Sequence, residues 1–334
     1  MTYALSILDK SPLIEGETAG TALQRTVSLA QAAERLGYHR FWLAEHHDFP
    51  GLVSPAPEVF AAYLLARTQR IRIGSGGVLL PHYSPYKVAE AFNLLASLAP
   101  GRIDLGIGKA PGGLPLSTKA LRVLHDPARA PSFETLLDEL DGFLAPPAAT
   151  DGPRDKARAL PVPPVTPERF LLGASPDSAR QAGERGWHFV FAGHHNGDPK
   201  AIDESLNAYA KAGGRAPLLL AVAAFAAETA EEALSLTENH RVVRLTLDNG
   251  QNLNLGSEEQ AAEYARQAGT ASYRTEIRKP HILAGTSDQV RRELDALHAR
   301  FGIGEFVIDT PTALTSRRLA SLTLLAGERP ALAA

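Results

Sequence analysis

The sequence predicts an α/β fold, a (β/α)8 TIM barrel of eight parallel strands with an insertion near its C-terminal mouth. Short apolar segments of strand length alternate with segments of helical periodicity, and the alternation repeats eight times. The chain has 334 residues, which is enough for one such barrel. We therefore expect a single domain over residues 1–334, with residues 245–281 as an insertion or lid.

Each predicted strand is short and is bounded by polar residues or glycine. The strands are expected at residues 4–8, 40–44, 71–80, 103–107, 169–173, 188–191, 218–226 and 305–308. The helices are expected at residues 21–36, 57–68, 86–98, 133–143, 178–185, 201–212, from 228 onward, and 315–325. Eight such units favour a closed barrel over an open sheet.

Two stretches interrupt the alternation. Residues 145–167 are rich in proline, alanine and charge, which is typical of a surface connection between barrel halves. Residues 245–281 are long and polar, with a helix expected at 258–267. Loops of this length are often lids or binding loops, and a plain surface insertion is the alternative.

The composition excludes several functions. The formal net charge is −3, so there is no basic field for nucleic acid. No apolar run reaches membrane-spanning length, and the first residues lack a secretory pattern. The chain has no cysteine, which excludes disulfides and thiol catalysis. We expect a cytoplasmic enzyme that binds neither nucleic acid nor membrane.

The strongest candidate for chemistry is the sequence Glu45-His46-His47, which follows an apolar strand. Barrel enzymes place their catalytic groups at this end of the strands. An imidazole titrates near neutrality, and a carboxylate can fix its tautomer and tune its pKa. Solvated polar residues are the alternative. A metal site is disfavoured because adjacent strand residues point to opposite faces and no third ligand has a recognisable spacing.

A second candidate is the start of the helix after strand five. Ser175 is suited to cap this helix and Pro176 to its first position, with Ser178 in the first turn. A free helix N-terminus at the barrel mouth binds phosphate readily, although an ordinary capped helix has the same sequence. Lys109, at the end of strand four, could supply a cation to the same phosphate, or it could be a solvated surface lysine.

Strand three has an unusual density of glycine. Gly74, Gly76 and Gly77 weaken a strand, so they indicate a bulge, an unusual peptide or a flat group packed against the backbone. A planar ring lying over this strand would need the absence of side chains. Gly76 and Gly77 are therefore candidate cofactor contacts.

Five motifs together resemble the bacterial luciferase-like monooxygenases, which are flavin-dependent (β/α)8 enzymes. The motifs are residues 41–47, 73–85, 98–109, 173–186 and 284–290, in the order that this family has them. They are specific for the family and not for one substrate. The opening residues 5–12 are similar to those of its short members rather than to the luciferase subunits.

The resemblance implies roles for individual residues. His46 corresponds to the acid/base beside the flavin, with Glu45 and His47 supporting it or lining the site. Lys109 takes the place of the family's phosphate-binding arginine, and Ser175 and Ser178 take that of its phosphate-binding helix start. Ala174 stands where the luciferases have an acidic residue, which removes one hydrogen-bonding group. A non-proline cis peptide of the family corresponds to the Gly76–Gly77 bond.

The implied reaction is a monooxygenation by reduced FMN and O2 through a flavin C4a-hydroperoxide. No nicotinamide motif is visible, so a separate flavin reductase is the expected electron source. Hydride transfer with the deazaflavin F420 and a non-catalytic flavin-binding subunit are the alternatives, and a metal hydrolase is disfavoured.

The substrate is expected to be a small organic molecule, because apolar and aromatic residues are predicted near the barrel mouth. These are Leu79, Leu80, Tyr83, Phe189 and Phe191. The helices after strands two and three have apolar faces, which indicates a homodimer of the kind found in this family.

Overall fold

Eight parallel strands close into a barrel in the computed structural model, which describes residues 3–126, 129–145, 157–195 and 197–327. The strands of the described chain, in order, are β1 (Ala4–Asp9), β2 (Arg40–Leu43), β3 (Arg72–Ser75), β4 (Val78–Leu79), β5 (Ile103–Gly108), β6 (Glu168–Gly173), β7 (His188–Phe191), β8 (Leu219–Ala226), β9 (Val242–Leu247), β10 (Asn252–Leu255), β11 (Tyr273–Arg278), β12 (Ile282–Gly285) and β13 (Glu305–Asp309).

Helices pack around the barrel between its strands. They are α1 (Ala19–Arg35), α2 (Pro57–Leu65), α3 (Pro85–Leu98), α4 (Pro115–Leu121), α5 (Phe133–Leu144), α6 (Pro176–Glu184), α7 (Pro199–Lys211), α8 (Ala230–Thr237), α9 (Glu258–Ala268), α10 (Ser287–Phe301) and α11 (Thr315–Ala326). No helix in the described ranges is long and apolar enough to cross a membrane.

The barrel order is β1-β2-β3-β5-β6-β7-β8-β13, and it closes where β13 pairs with β1. All eight pairings are parallel. The predicted barrel is therefore confirmed, and each predicted strand contributes to it. Parallel closure places the carboxyl ends of all eight strands at one mouth.

The third predicted strand, residues 71–80, is interrupted. β3 ends at Ser75, the peptide between Gly76 and Gly77 is cis, and β4 has only two residues before a short 3₁₀ turn at Leu80–His82. The cis bond lies where the resemblance placed it. The glycines thus mark a break in the strand rather than a continuous edge.

The region after β8 contains elements that the sequence did not reveal. β12 pairs with the second half of β8, from Ala223 to Ala226, while the first half of β8 pairs with β13. The capped helix α10 follows β12. β12 is only four residues long and adjoins a polar stretch, so its apolar pattern is too short to stand out.

The polar stretch 245–281 is an ordered lobe with a core of its own. β9, β10 and β11 form an antiparallel sheet, and α9 confirms the helix expected at 258–267. The lobe core contains Val243, Leu245, Leu247, Leu255, Ala261, Tyr264 and Ala265. The three strands escaped prediction because their outer faces are polar, and every residue of β11 is exposed.

Residues 146–156 of the predicted surface connection lie outside the described part of the chain. The described remainder is tied to α3. Tyr86 Oη donates to the Arg158 carbonyl at 3.2 Å, and Asn93 Nδ2 donates to the Ala159 carbonyl at 3.0 Å.

Two apolar layers surround the strands. The barrel interior is filled by Leu8, Trp42, Ala44, Phe170, Val190, Leu219, Ala221 and Val307. The larger layer lies between strands and helices, and it includes Leu80, Phe189 and Phe191. Placing these three at the mouth was wrong, because their side chains point outward from the barrel toward the helices. Leu79 and Tyr83 do lie beside the mouth, against Glu45.

A network of buried charges fills the N-terminal end of the barrel. Arg40 Nη1 donates to Asp104 Oδ1 at 2.9 Å and to Glu168 Oε2 at 3.0 Å. Arg40 Nε donates to Glu305 Oε1 at 3.0 Å, and Arg72 Nε donates to Asp104 at 2.9 Å. The Asp104 side chain is fully buried. These contacts join four barrel strands besides β2 at the end opposite the mouth.

Candidate active site

Glu45 is a fixed anchor in the loop after β2. Its carboxylate is buried, with Oε1 2.8 Å from His47 Nε2. Tyr83 Oη donates to Oε1 at 2.8 Å, and the Leu79 N–H donates to Oε2 at 3.1 Å. Glu45 therefore orients His47 and not His46, although both histidines follow it in sequence.

Tyr83 completes this buried group. Burial raises the pKa of its phenol and the Glu45 charge raises it further, so the hydroxyl stays protonated and donates. Its oxygen lies 3.3 Å from His47 Nε2. The sequence placed Tyr83 near the mouth as an apolar contact, whereas the structure gives it a polar role.

His46 faces different surroundings. Its ring lies 5.9 Å from the ring of Phe49, and its backbone N–H donates to the Ser54 carbonyl at 3.1 Å. Burial lowers the pKa of His46 to about 4, with a further contribution from the Lys10 charge. His46 is thus neutral at pH 7 and able to accept a proton. These contacts agree with the expectation that the side chains of His46 and His47 point in opposite directions.

The His46 Nδ1 atom is inaccessible to solvent and has no hydrogen-bond partner among the described residues. A buried polar atom without a partner costs about 1–3 kcal/mol. A ligand that reaches this atom and supplies a partner would recover that cost.

Gly76 and Gly77 are surrounded by protein. A Cβ on Gly76 would lie 2.7 Å from Leu8 Cδ1, inside the barrel, and one on Gly77 would lie 2.7 Å from the Gly106 carbonyl oxygen. The packing of the barrel is therefore sufficient reason for both glycines. A flat ligand is not needed to explain the absence of their side chains.

The residues of the predicted phosphate site follow β5 and β6. Ser175 Oγ caps α6 by accepting from the Ser178 N–H at 3.3 Å, and the two hydroxyl oxygens are 3.2 Å apart. Lys109 follows the last residue of β5 and is exposed. Its charge adds to the hydrogen bond from Arg180 in lowering the pKa of Asp177, in the first turn of α6. A cation and a helix N-terminus therefore lie within electrostatic range, with Ala174 exposed beside them.

The loop that follows Lys109 is hydrogen-bonded to the loop that contains His47 and to the 3₁₀ turn that contains His82. The His47 N–H donates to the Gly112 carbonyl at 2.8 Å, and His82 Nε2 donates to the Pro111 carbonyl at 2.9 Å. A Cβ on Gly113 would lie 2.2 Å from the His47 carbonyl oxygen, so only glycine permits this approach. Contacts between loops so far apart in sequence have no local pattern that could predict them.

A second polar group lies on the other side of the mouth and escaped the sequence analysis. Lys10 Nζ lies 2.6 Å from Asp309 Oδ2, and His194 and His195 stand beside this pair with their ring centroids 3.9 Å apart. The sequence does contain a pattern that could have predicted this group, namely two adjacent histidines shortly after an apolar strand. The same pattern made residues 45–47 a candidate site. Among the described residues, no group of three or more acidic, histidine or cysteine side chains is placed to hold a metal ion.

Comparison with known proteins agrees with this architecture. Residues 5–303 match the family described as luciferase-like monooxygenase. An N-acetyl-S-alkylcysteine monooxygenase from Bacillus subtilis strain 168 is 44% identical over 325 residues, covering 96% of each chain. The crystal structure of apo-MsnO8 superposes with a TM-score of 0.76 at 32% identity, covering 97% of each chain.

Two more distant structures share the fold alone. One is the oxygenating constituent of 3,6-diketocamphane monooxygenase from Pseudomonas putida in complex with FMN, with a TM-score of 0.71, 19% identity, and 98% and 97% coverage. The other is an F420-dependent secondary alcohol dehydrogenase with an F420–acetone adduct, with a TM-score of 0.66, 15% identity, and 97% and 98% coverage.

Proposed function

The chain belongs to the luciferase-like monooxygenase family, and from this premise we propose that it is an FMN-dependent monooxygenase acting on a small thioether acid. The observation that carries the choice of FMN is the pairing of Lys109 with the Ser175-capped start of α6. A cation within electrostatic range of a helix N-terminus suits a terminal phosphate monoester, which FMN has. Ser178 adds a second hydroxyl to this site.

The residues of the mouth have distinct tasks in this proposal. Reduced FMN supplies two electrons and activates O2, so that one oxygen atom enters the substrate and the other leaves as water. His46, neutral at pH 7, takes up and returns a proton at its ring nitrogen. Glu45 is bonded to His47 and Tyr83, and together these three hold the loop that presents His46.

The substrate class is proposed from the Bacillus relative, which is named for N-acetyl-S-alkylcysteines. Identity of 44% along nearly the whole length of both chains supports a related substrate. Such a molecule combines an apolar S-alkyl group with a carboxylate, so its site needs both an apolar wall and hydrogen-bond donors.

Electrons are proposed to come from a separate flavin reductase, because the sequence has no nicotinamide-binding motif. The proposed location is the cytoplasm, where reduced nicotinamide is available to such a reductase. A chain without cysteine is compatible with that compartment.

We also propose a homodimer that pairs α2 and α3 with their counterparts. Large apolar side chains are exposed on these helices, with Val59 67% and Tyr63 43% exposed on α2, and Leu94 50% and Leu98 69% exposed on α3. Burying this surface would be favourable at about 25 cal/mol per Å². Light scattering at micromolar concentration tests the dimer, and Leu98→Glu should dissociate it.

The lobe of β9–β11 and α9 is proposed to cover the phosphate side of the mouth as a lid. Leu114, ahead of α4, packs on the lobe core. The Leu116 N–H donates to Gln267 Oε1 of α9 at 3.0 Å. Lys109 and the β9–β10 turn line one pocket. Limited proteolysis tests the lid, because bound FMN should slow cleavage within 248–251 and leave cleavage elsewhere unchanged.

The proposed activity is tested with purified protein, FMN, a flavin reductase with NADH, and N-acetyl-S-methylcysteine. We expect ¹⁸O from ¹⁸O2 in the product, and no product when FMN or the protein is omitted. Substrate-independent oxygen uptake without product would contradict the proposal. A parallel anaerobic assay with F420 and secondary alcohols tests the alternative of hydride transfer, for which the F420-dependent neighbour provides a shared fold. Reduction of F420 there would favour that alternative.

A further inference from the structure

Three strands, β1, β7 and β13, bring a cluster of polar side chains together at the mouth of the barrel. Lys10 follows β1, Asp309 ends β13, and His194 and His195 follow β7. We call these four residues the histidine cluster. His46 lies at its edge, since Lys10, His195 and Asp309 all act on its charge. The activity proposed above leaves these four residues without a task.

The histidine cluster has one ion pair and two neutral imidazoles. Although burial opposes it, Lys10 holds the pKa of Asp309 below its usual range, so this carboxylate stays ionised beside the ammonium. Burial lowers the pKa of His194 to about 4. The neighbouring His194 ring lowers the pKa of His195. At pH 7 the Lys10 charge cancels the Asp309 charge and both rings are uncharged.

The histidine cluster has more hydrogen-bond donors than it has acceptors bonded to them. Lys10 has three N–H groups, and within the described part of the chain its side chain bonds to Asp309. His194 Nδ1, like His46 Nδ1, is inaccessible to solvent and has no partner among the described residues. The N–H groups that Lys10 does not give to Asp309, together with the one ring N–H of each neutral imidazole, favour an incoming group that accepts several hydrogen bonds at once. A carboxylate accepts only, at about four lone-pair positions.

A metal ion is a poor occupant for the same place. Three side chains with convergent lone pairs would be needed, and no such group exists among the described residues. A cation also cannot accept hydrogen bonds from the N–H groups of Lys10 that Asp309 leaves free. Both facts favour an occupant with several acceptor atoms, such as a carboxylate.

We propose that the histidine cluster binds the carboxylate of the substrate. The inference rests on the proposed function for the kind of molecule bound. Lys10 supplies the positive charge, Asp309 holds Lys10 in place, and His194 and His195 donate through their rings. Because His46 borders the cluster, a substrate anchored there by its carboxylate has the rest of its length directed toward His46.

The test is calorimetric binding to the FMN-loaded protein, which needs no turnover. N-acetyl-S-methylcysteine is compared with its primary amide, which keeps the size and loses the charge. We expect the acid to bind about ten- to a hundredfold more tightly than the amide, as for a hydrogen-bonded charge. His195→Asn and Lys10→Met should each reduce that ratio at least severalfold, with the affinity for the amide little changed. His125→Asn, an exposed histidine in the loop after α4, is the matched control and should keep the ratio.

Each outcome separates the subsite from the proposed activity. Equal binding of acid and amide to the unaltered protein, or no binding of the acid, overturns the carboxylate site. A ratio that survives both His195→Asn and Lys10→Met also overturns it. Preferential binding of the acid without oxygen insertion would support the site and contradict the proposed function. Oxygenation of the acid and the amide at equal kcat/KM would contradict the carboxylate site and support the proposed function.

Discussion

The two ends of this barrel hold their charged groups in opposite ways. At the N-terminal end, Arg40 is bonded to three carboxylates, and the fully buried Asp104 also accepts from Arg72. At the mouth, two imidazoles stand beside a single ion pair, and the Nδ1 atoms of His46 and His194 have no partner in the described structure.

The difference separates stability from function within one fold. A buried charge that has all its hydrogen bonds is locked in place, whereas removal of one member leaves the others unpaired in a poorly solvating interior. An imidazole with an unpaired nitrogen is costly to the fold, and a ligand that reaches the nitrogen can supply the missing hydrogen bond. Barrel enzymes generally place stability at the bottom and catalysis at the top, and the roles proposed for the two ends of this chain follow that division.

The largest expected effect is at the mouth. His46→Ala should lower oxygenation about a hundred- to ten-thousandfold, because a positioned acid/base contributes that much. His47→Ala should be milder, since His47 is bonded to Glu45. Product formation is measured with reduced FMN in excess, alongside FMN affinity and thermal melting. An unchanged product rate in a folded, FMN-binding His46→Ala protein would remove its catalytic role.

The N-terminal end should respond in stability alone. Asp104→Ala leaves Arg40 and Arg72 short of a shared carboxylate and should lower the free energy of unfolding by about 3–5 kcal/mol. Glu184→Ala, which breaks an exposed pair with Arg180 on α6, should cost at most about 1 kcal/mol. Urea denaturation compares the two. If Asp104→Ala were as mild as Glu184→Ala, the network would not stabilise the barrel.

Which features could be predicted from the sequence depended on how far apart along the chain the interacting residues are. The barrel strands were visible because each is a contiguous apolar run, and Ser175 was visible because capping depends on adjacent residues. The arginine–carboxylate network and the histidine cluster were not, since Arg40 and Glu305 are 265 residues apart, and Lys10 and Asp309 are 299 apart. Such pairs form only when the barrel closes. The hydrogen bonds that hold Glu45 could not be predicted from local sequence either, because they come from Leu79 in β4 and from Tyr83.

The phosphate site allows a sharper test of the mouth. Lys109→Ala should weaken binding of FMN about ten- to a hundredfold while leaving riboflavin, which has no phosphate, nearly unaffected. Lys119→Ala on α4 removes the same charge from a neighbouring position and serves as the control. Fluorescence titration with both flavins gives the ratio. Equal losses for FMN and riboflavin would show that Lys109 acts on the fold or on the ring rather than on phosphate.

The smallest expected effect is the contribution of His194, at the mouth, to the pH dependence of stability. The pKa of His194 is about 4 in the folded chain, against about 6.5 in the unfolded chain. A lowered folded pKa means that the unfolded state takes up the proton first. Stability is therefore complete above pH 6.5 and is lost as the pH falls toward 4. At pH 5.5 this single group should cost about 1.4 kcal/mol relative to pH 8.

His194→Asn removes that titration and also relieves His195, whose pKa His194 lowers. Between pH 8 and pH 5.5, the free energy of unfolding of the variant should thus fall by at least about 1 kcal/mol less than that of the unaltered chain. This difference is about the amount that one such group contributes. His125→Asn should leave the pH dependence unchanged, because this histidine is exposed. Urea denaturation at both pH values measures the difference within each protein, so a lower starting stability of the His194→Asn chain does not affect the comparison. Parallel pH profiles for the unaltered and His194→Asn proteins would show that the imidazoles of the mouth are not held neutral by the fold, and the contrast between the two ends of the barrel would then lose its electrostatic basis.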